Sequence, residues 1–234
     1  MSPKKADTAP PMPGAVWLRE RPARRGDGGL TRDAVAREAV AALDRDGAAG
    51  LSLRGLAGAL GVHATSLYWY VATRDDLLDL ALDVVFGEIE LPGAPAEDWV
   101  RDLRRYMHGL RAALLRHPWS GALAASRPLL GPEALARSEF VYAALVRAGM
   151  SGERLMAGAS AVSATVIGAV AAETAWRHEG EAEARTAMHA HLRRQADLYP
   201  TLAALPETAP GGWDGQFTIT VETLLAGLRE SCRA

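Results

Sequence analysis

The chain has 234 residues, enough for one large or two modest domains with a proper core, and its 49% hydrophobic and 23% charged content excludes a disordered polymer. A single cysteine, Cys232, excludes an internal disulfide framework, and the missing apolar signal core leaves the cytoplasm as the expected compartment. The net charge of −2 is unevenly spread: residues 1–74 hold 11 Lys/Arg against 7 Asp/Glu, and the rest 15 against 21. A modestly basic head on an acidic body suits a protein that presents one end to phosphate. No stretch of about 18 uninterrupted apolar residues occurs, so no membrane partner is expected.

Residues 1–29 are rich in Pro, Gly and charge without apolar periodicity. They read as a flexible basic arm, with local order expected around Val16-Trp17-Leu18. Arg19, Arg21, Arg24 and Arg25 could follow phosphates or enter a minor groove, or the arm is a solvated tail. A first helix is predicted from about Thr31 to Arg45, capped by Thr31, with Val35, Ala39, Ala42 and Leu43 inward and Asp46-Gly47 ending it.

The run from Leu51 to Val71 is the most informative part of the chain. Leu53, Leu56, Ala57 and Leu60 recur at i, i+3, i+4, i+7, the spacing of one buried helical face. Ser52 stands before that face as an N-cap, and Gly61 permits the left-handed turn that ends it. Val62, Leu67 and Val71 supply contacts that hold a second helix across the first. This is a helix-turn-helix pattern, whose second helix enters the DNA major groove. Residues 30–74 are therefore predicted to be a three-helix DNA-binding domain. Thr73-Arg-Asp-Asp76 resembles a capping box with Asp in the Glu position, and it starts a linker helix over 75–90 that buries Leu78, Leu82, Val85 and Ile89.

Leu91-Pro-Gly-Ala-Pro95 breaks the chain, and everything beyond it reads as helical. Trp99, Leu103, Tyr106, Leu110 and Leu114 form one stripe, stopped by His117-Pro118. A short element holds Trp119, Leu123 and Ala124, followed by helices near 131–148, 151–177, 182–198 and 213–230. Pro200, Pro206, Pro210 and Gly211-Gly212 read as a mobile connection. The expected fold is all-α, a helix-turn-helix head plus a C-terminal helical bundle (75–234) that binds ligand and dimerises. In the longest helix Leu155, Ala159, Val162, Val166 and Val170 face the core. A second face carries Ala157, Ser160, Ala161, Ala164, Gly168 and Ala171, and Gly168 there implies close approach of another helix. With Phe217, Val221, Leu224, Leu225 and Leu228 of the last helix, this face is expected to form a four-helix homodimer interface, against the alternative that both faces are buried within one subunit.

The motif Leu53-Arg-Gly-Leu-Ala-x-x-Leu-Gly-Val-x-x-x-Ser-Leu-Tyr-Trp-Tyr-Val, with Arg74-Asp-Asp-Leu-Leu-Asp79 after it, closely resembles the tetracycline-repressor family. The resemblance is specific over about 31–90 and looser beyond, where Leu-Leu-x-His117, Arg127-Pro128 and Ala148-Gly149 keep the family order. It implies a homodimeric regulator, most simply a repressor, that leaves a double-stranded DNA operator when a small-molecule effector enters its body. Carried over by position, Ser52 contacts phosphate and Arg54 a base, while Ala64, Thr65 and Ser66 face base edges. Tyr68, Trp69 and Tyr70 would pack on the sugar-phosphate wall, and Arg74 would hold a phosphate. Arg can grip guanine bidentately, whereas a phenol on phosphate fixes register without reading sequence. The blander readings stay open: Tyr70 closing the small core, Trp69 a hydrophobic plug, Arg54 a surface charge.

An effector site in such a bundle is an apolar cavity with a few polar groups. The candidates are Tyr106, Met107, Leu110, Phe140, Val166, Val170 and Thr174, with Trp119 near the mouth, though such stripes also make ordinary core. Glu173 beside Thr174 reads as a satisfied helix-end acid. Glu90 and Ala124 stand where the tetracycline branch places metal-gripping histidines, and His178, His189 and His191 do not replace them. No metal or other cofactor is expected. No nucleophile–base set or phosphate loop supports an enzyme; a carrier or enzyme with a vestigial head is the alternative reading.

Overall fold

The computed structural model describes residues 12–19, 30–177, 180–207 and 211–232. Twelve helices and no strand lie among them. The head consists of α2 (Arg32–Gly50), α3 (Leu53–Ala59) and α4 (Ala64–Leu67), preceded by the single turn α1 (Ala15–Leu18). Thr31 Oγ1 accepts from the Ala34 amide at 3.0 Å, and Ser52 Oγ from the Gly55 amide at 3.1 Å, so both expected N-caps form. At Gly47 the backbone turns left-handed (φ 67°), which breaks α2 near its expected end, and one further turn carries it to Gly50. Gly61 (φ 65°) closes α3: its amide bonds Gly58 O at 3.1 Å and that of Val62 bonds Ala57 O at 3.0 Å. Leu56, Ala57, Leu67 and Val71 are buried against Val35, Ala39 and Leu43 of α2.

The linker helix α5 (Arg74–Gly87) begins with a complete capping box between Thr73 and Asp76. Its Leu77, Leu78, Leu80 and Ala81 join the head's core, whereas Leu82, Val85 and Phe86, with Ile89 beyond it, join the body's. One rigid element thus belongs to both hydrophobic clusters. The body packs α6 (Trp99–Arg116), α8 (Pro132–Arg147), α9 (Gly152–Trp176) and α12 (Gly212–Ser231) against one another, with α7 (Ser120–Ser126) between α5 and α9. Pro132 opens α8 at a first-turn position where its missing N–H is harmless.

Two expectations are corrected. The connection before the last helix contains a further turn, α11 (Pro200–Ala203), packed on α10 (Glu181–Arg194), again with proline at its start. The apolar stripe of α12 is also not free: Phe217, Val221, Leu225 and Leu228 are buried in the body's own core, with Leu224 half-buried against it. On α9 the small-residue face is open. Ala157, Ser160, Ala164, Gly168 and Ala171 are exposed, and a Cβ on Gly168 would meet nothing within 4 Å. Only 28% of the most apolar window of α9 is buried, and this is the one described helix long and apolar enough to cross a membrane by length and composition.

Candidate functional site

The head presents one exposed strip. Arg54 on the first turn of α3 is exposed, as is Thr65 on α4, with Ala64 and Ser66 half-exposed beside it. Tyr68 and Trp69 follow at 59% and 61% exposure, a costly placement for two adjoining aromatic side chains unless another surface covers them. Leu67 between them and the turn is fully buried, so its packing aims the strip outward. Ser52 sits at the rim with its Oγ turned to its own helix as the cap.

Two residues expected on the DNA wall are already engaged inside the head. Tyr70 is half-buried and its hydroxyl donates to Leu30 O at 2.5 Å, tying the end of the helix-turn-helix to the start of α2. The Arg74 guanidinium donates to Leu51 O at 3.1 Å and also to Ala48 O, closing the carbonyl end of α2. The alternative reading of Tyr70 as part of the small core therefore fits this structure, and Arg74 is a helix-end tie rather than an outstretched cation. Arg19, expected on the arm, pairs with buried Asp76. Arg21, Arg24, Arg25 and His178 lie outside the described residues.

Head and body are joined by more than α5. His117 at the end of α6 is buried, with Nδ1 2.8 Å from Asp44 of α2 and Nε2 3.0 Å from Glu88 at the end of α5. Trp119 Nε1 donates to the same Asp44 at 2.7 Å, and its ring packs against both cores. Trp119, expected near the mouth of an effector cavity, thus stands at the seam between head and body. Arg127 donates to Asp79 at 2.9 Å and to Asp75 at 2.6 Å, fastening the loop before α8 to α5. Burial raises the Asp79 pKa, opposed by the Gly14 amide and by Arg127.

In the body, Tyr106, Met107, Leu110, Val166 and Val170 are buried together, with Phe140 half-buried 6.3 Å from the Tyr106 ring and Thr174 half-buried beyond. Burial pushes the Tyr106 phenol up to about 12, so it remains neutral. The structure thus gathers the proposed effector residues, Trp119 apart, as packed core. Open grooves also occur among other described residues. One of about 390 Å³ runs between α9 and α12, past Met150, Arg154, Ala157, Ala161 and Leu228. Another of about 360 Å³ sits where Trp17, Arg37, Val84 and Glu133 meet.

Sequence reasoning missed the polar centre beneath that core. Glu173 is only 1% exposed and accepts two hydrogen bonds of 2.9 Å from the buried Arg111 guanidinium. Arg177 pairs with it at 2.7 Å, and Arg111 reaches Asp214 at 2.7 Å over the Phe217 ring. Glu173 is satisfied, as expected, but as the partner of a buried arginine rather than at a solvated helix end. The legible signal was an acid in register with Val162, Val166 and Val170.

Comparison with known proteins adds the following. Residues 91–232 match the family model described as tetracyclin repressor-like, C-terminal domain. Over 224 residues the chain is 50% identical to a protein named HTH-type transcriptional regulator from Saccharopolyspora erythraea, covering 96% of this chain and 95% of that one. It is 32% identical to the HTH-type transcriptional repressor DrrR1 of Streptomyces coeruleorubidus, covering 89% and 80%. Among solved structures, ActR of Streptomyces coelicolor in complex with actinorhodin is similar with a TM-score of 0.78 at 29% identity, covering 88% of this chain and 99% of that one. ActR in complex with (S)-DNPA gives 0.76.

Proposed function

Because the chain belongs to the tetracycline-repressor family of helix-turn-helix transcriptional regulators, we propose that it acts in the cytoplasm as a homodimeric repressor that a small molecule releases from a palindromic operator. The observation that carries this reading is the exposed strip of Arg54, Thr65, Ser66, Tyr68 and Trp69 on a head locked to the body through α5. Arg54, Thr65 and Ser66 supply base-reading chemistry, with Ala64 offering an apolar contact to a thymine methyl. Tyr68 and Trp69 pack on the sugar-phosphate wall, and Ser52 lies beside the backbone. In this reading Tyr70 and Arg74 hold the reading surface in place rather than touch DNA.

The open small-residue face of α9, continuous with the groove against α12, supports pairing of two subunits. Paired subunits would set two recognition helices about 34–36 Å apart, matching half-sites one turn of duplex apart. That DrrR1 is named a repressor supports that sign of control, and the ligands in the ActR structures support a small-molecule effector. The effector must favour a state in which the head spacing is wrong, since equal affinity for both states shifts nothing. It enters among Tyr106, Met107, Leu110, Phe140, Val166, Val170 and Thr174, and α5 with the His117–Asp44 contact carries the displacement to the head. A gel shift with fragments from the protein's own promoter region tests the reading. Retention of a discrete complex is expected; no retention of any fragment would overturn it.

A further inference from the structure

Most buried charges in the body have a visible structural task. Asp102 accepts from the Ala96 amide ahead of α6 and pairs with Arg147, and Asp83 accepts from the first amides of α8. The Arg111–Glu173 pair caps nothing. It places two charges in an apolar core, where desolvation offsets much of their attraction. Its surroundings are also unusual. Asp214, the second carboxylate on Arg111, is 81% exposed, so one edge of a buried guanidinium is met by a carboxylate that solvent can reclaim. Phe217 lies under the guanidinium at 4.9 Å, and the His108 ring meets Phe217 edge-on at 5.2 Å.

The network continues outward as aromatic and cationic groups. Trp213 precedes Asp214, and Trp176 precedes Arg177, the second partner of Glu173. The Arg185 guanidinium of α10 lies 5.2 Å from the Trp176 ring and 4.8 Å from the Trp213 ring. Glu181 holds both Arg185 and the Trp213 indole, at 2.9 and 3.0 Å. Aromatic faces and guanidinium groups are therefore strung from the α10 side to Arg111. Arg111 follows Leu110 on α6, and Glu173 precedes Thr174 on α9, which ties this network to residues proposed for the effector.

From this juxtaposition we propose that Arg111 anchors an anionic aromatic effector, whose carboxylate or phenolate takes the place of Asp214 on the guanidinium while its rings lie against Phe217 and the Trp176–Trp213 pair. The assignment rests on the ligand-responsive reading above and names its chemical class. Glu173 keeps the guanidinium oriented and compensates its charge when the site is empty. Asp214 is the built-in competitor, and its exchange frees the start of α12, which packs on α9 beside the open face. Occupancy of the anion site is thereby linked to the surface proposed to pair subunits.

Isothermal titration of the full-length protein with 2-naphthoate and anthraquinone-2-carboxylate, each beside its uncharged carboxamide, tests the assignment. The acids are expected to bind roughly ten- to a hundredfold more tightly than the amides, the range for a charge-assisted hydrogen bond. Asp214→Asn is expected to tighten the acids roughly two- to fivefold by removing an exposed competitor, leaving the amides unchanged. The paired substitution Arg111→Met with Glu173→Gln, which avoids stranding one buried charge, is expected to abolish the acid preference. Acids that fail to bind up to millimolar concentration, acids and amides that bind alike, or an Asp214→Asn protein with unchanged acid affinity would each overturn the anion site. Release of the promoter fragment by uncharged compounds alone would overturn it while leaving the regulator standing. Acids that bind as expected but never release the fragment would support the site and count against the ligand-responsive reading.

Discussion

At the scale of single residues, Arg54 and Tyr70 contrast an exposed side chain proposed to read DNA with one that supports the head. Arg54 is exposed, with no hydrogen bond or ion pair among the described residues, so its removal leaves the fold intact. Arg54→Ala is expected to weaken promoter binding by about 1–3 kcal/mol, the worth of a bidentate base contact, with an unchanged melting curve. Quantitative gel shifts beside a thermal melt check both halves. Tyr70→Phe has the opposite signature. Losing the hydroxyl bond to Leu30 is expected to lower stability by about 0.5–1.5 kcal/mol in a urea melt, with promoter affinity nearly unaltered. The sequence placed both residues on the right helix-turn-helix but could not divide their roles. Tyr70 meets Leu30 from 40 positions away, and Arg74 meets Leu51 from 23, so their partners are set by tertiary packing. The Arg111–Glu173 pair, 62 positions apart, was hidden for the same reason.

At the scale of elements, local chemistry was readable because its partners are near in the chain. Thr31, Ser52 and Thr73 each cap the helix that begins one residue later. The left-handed turn at Gly61 follows from one residue type. Gly61→Ala is expected to cost about 1–2 kcal/mol through the backbone alone, because no atom lies within 4 Å of the added Cβ. A urea melt of the full chain checks this; a neutral outcome would mean the turn is not held as described. The misjudged element, α11, began at a proline that also reads as a breaker, and only packing against α10 shows that the turn is completed. The faces of α9 and α12 were less legible. Both carry apolar or small stripes, and periodicity does not say whether the covering surface is in the same subunit.

At the scale of the whole molecule, the open face of α9 and the exposed strip of the head are proposed to meet two different partners, a second subunit and a duplex. Gly168 separates them experimentally. In one subunit Gly168→Leu points into open space and replaces a poor helix former, so the fold is expected to be retained or slightly stabilised, by up to about 1 kcal/mol. Across a close helix contact the same side chain is a wedge. Light scattering of the variant is expected to report a monomer, and promoter retention should fall with it. The most direct test of the account is a footprint of the wild-type protein on its own promoter. Two protected half-sites related by a dyad, centred about 34–36 Å apart, are predicted. Protection of a single unsymmetrical segment, or of none, would contradict paired heads reading one palindrome.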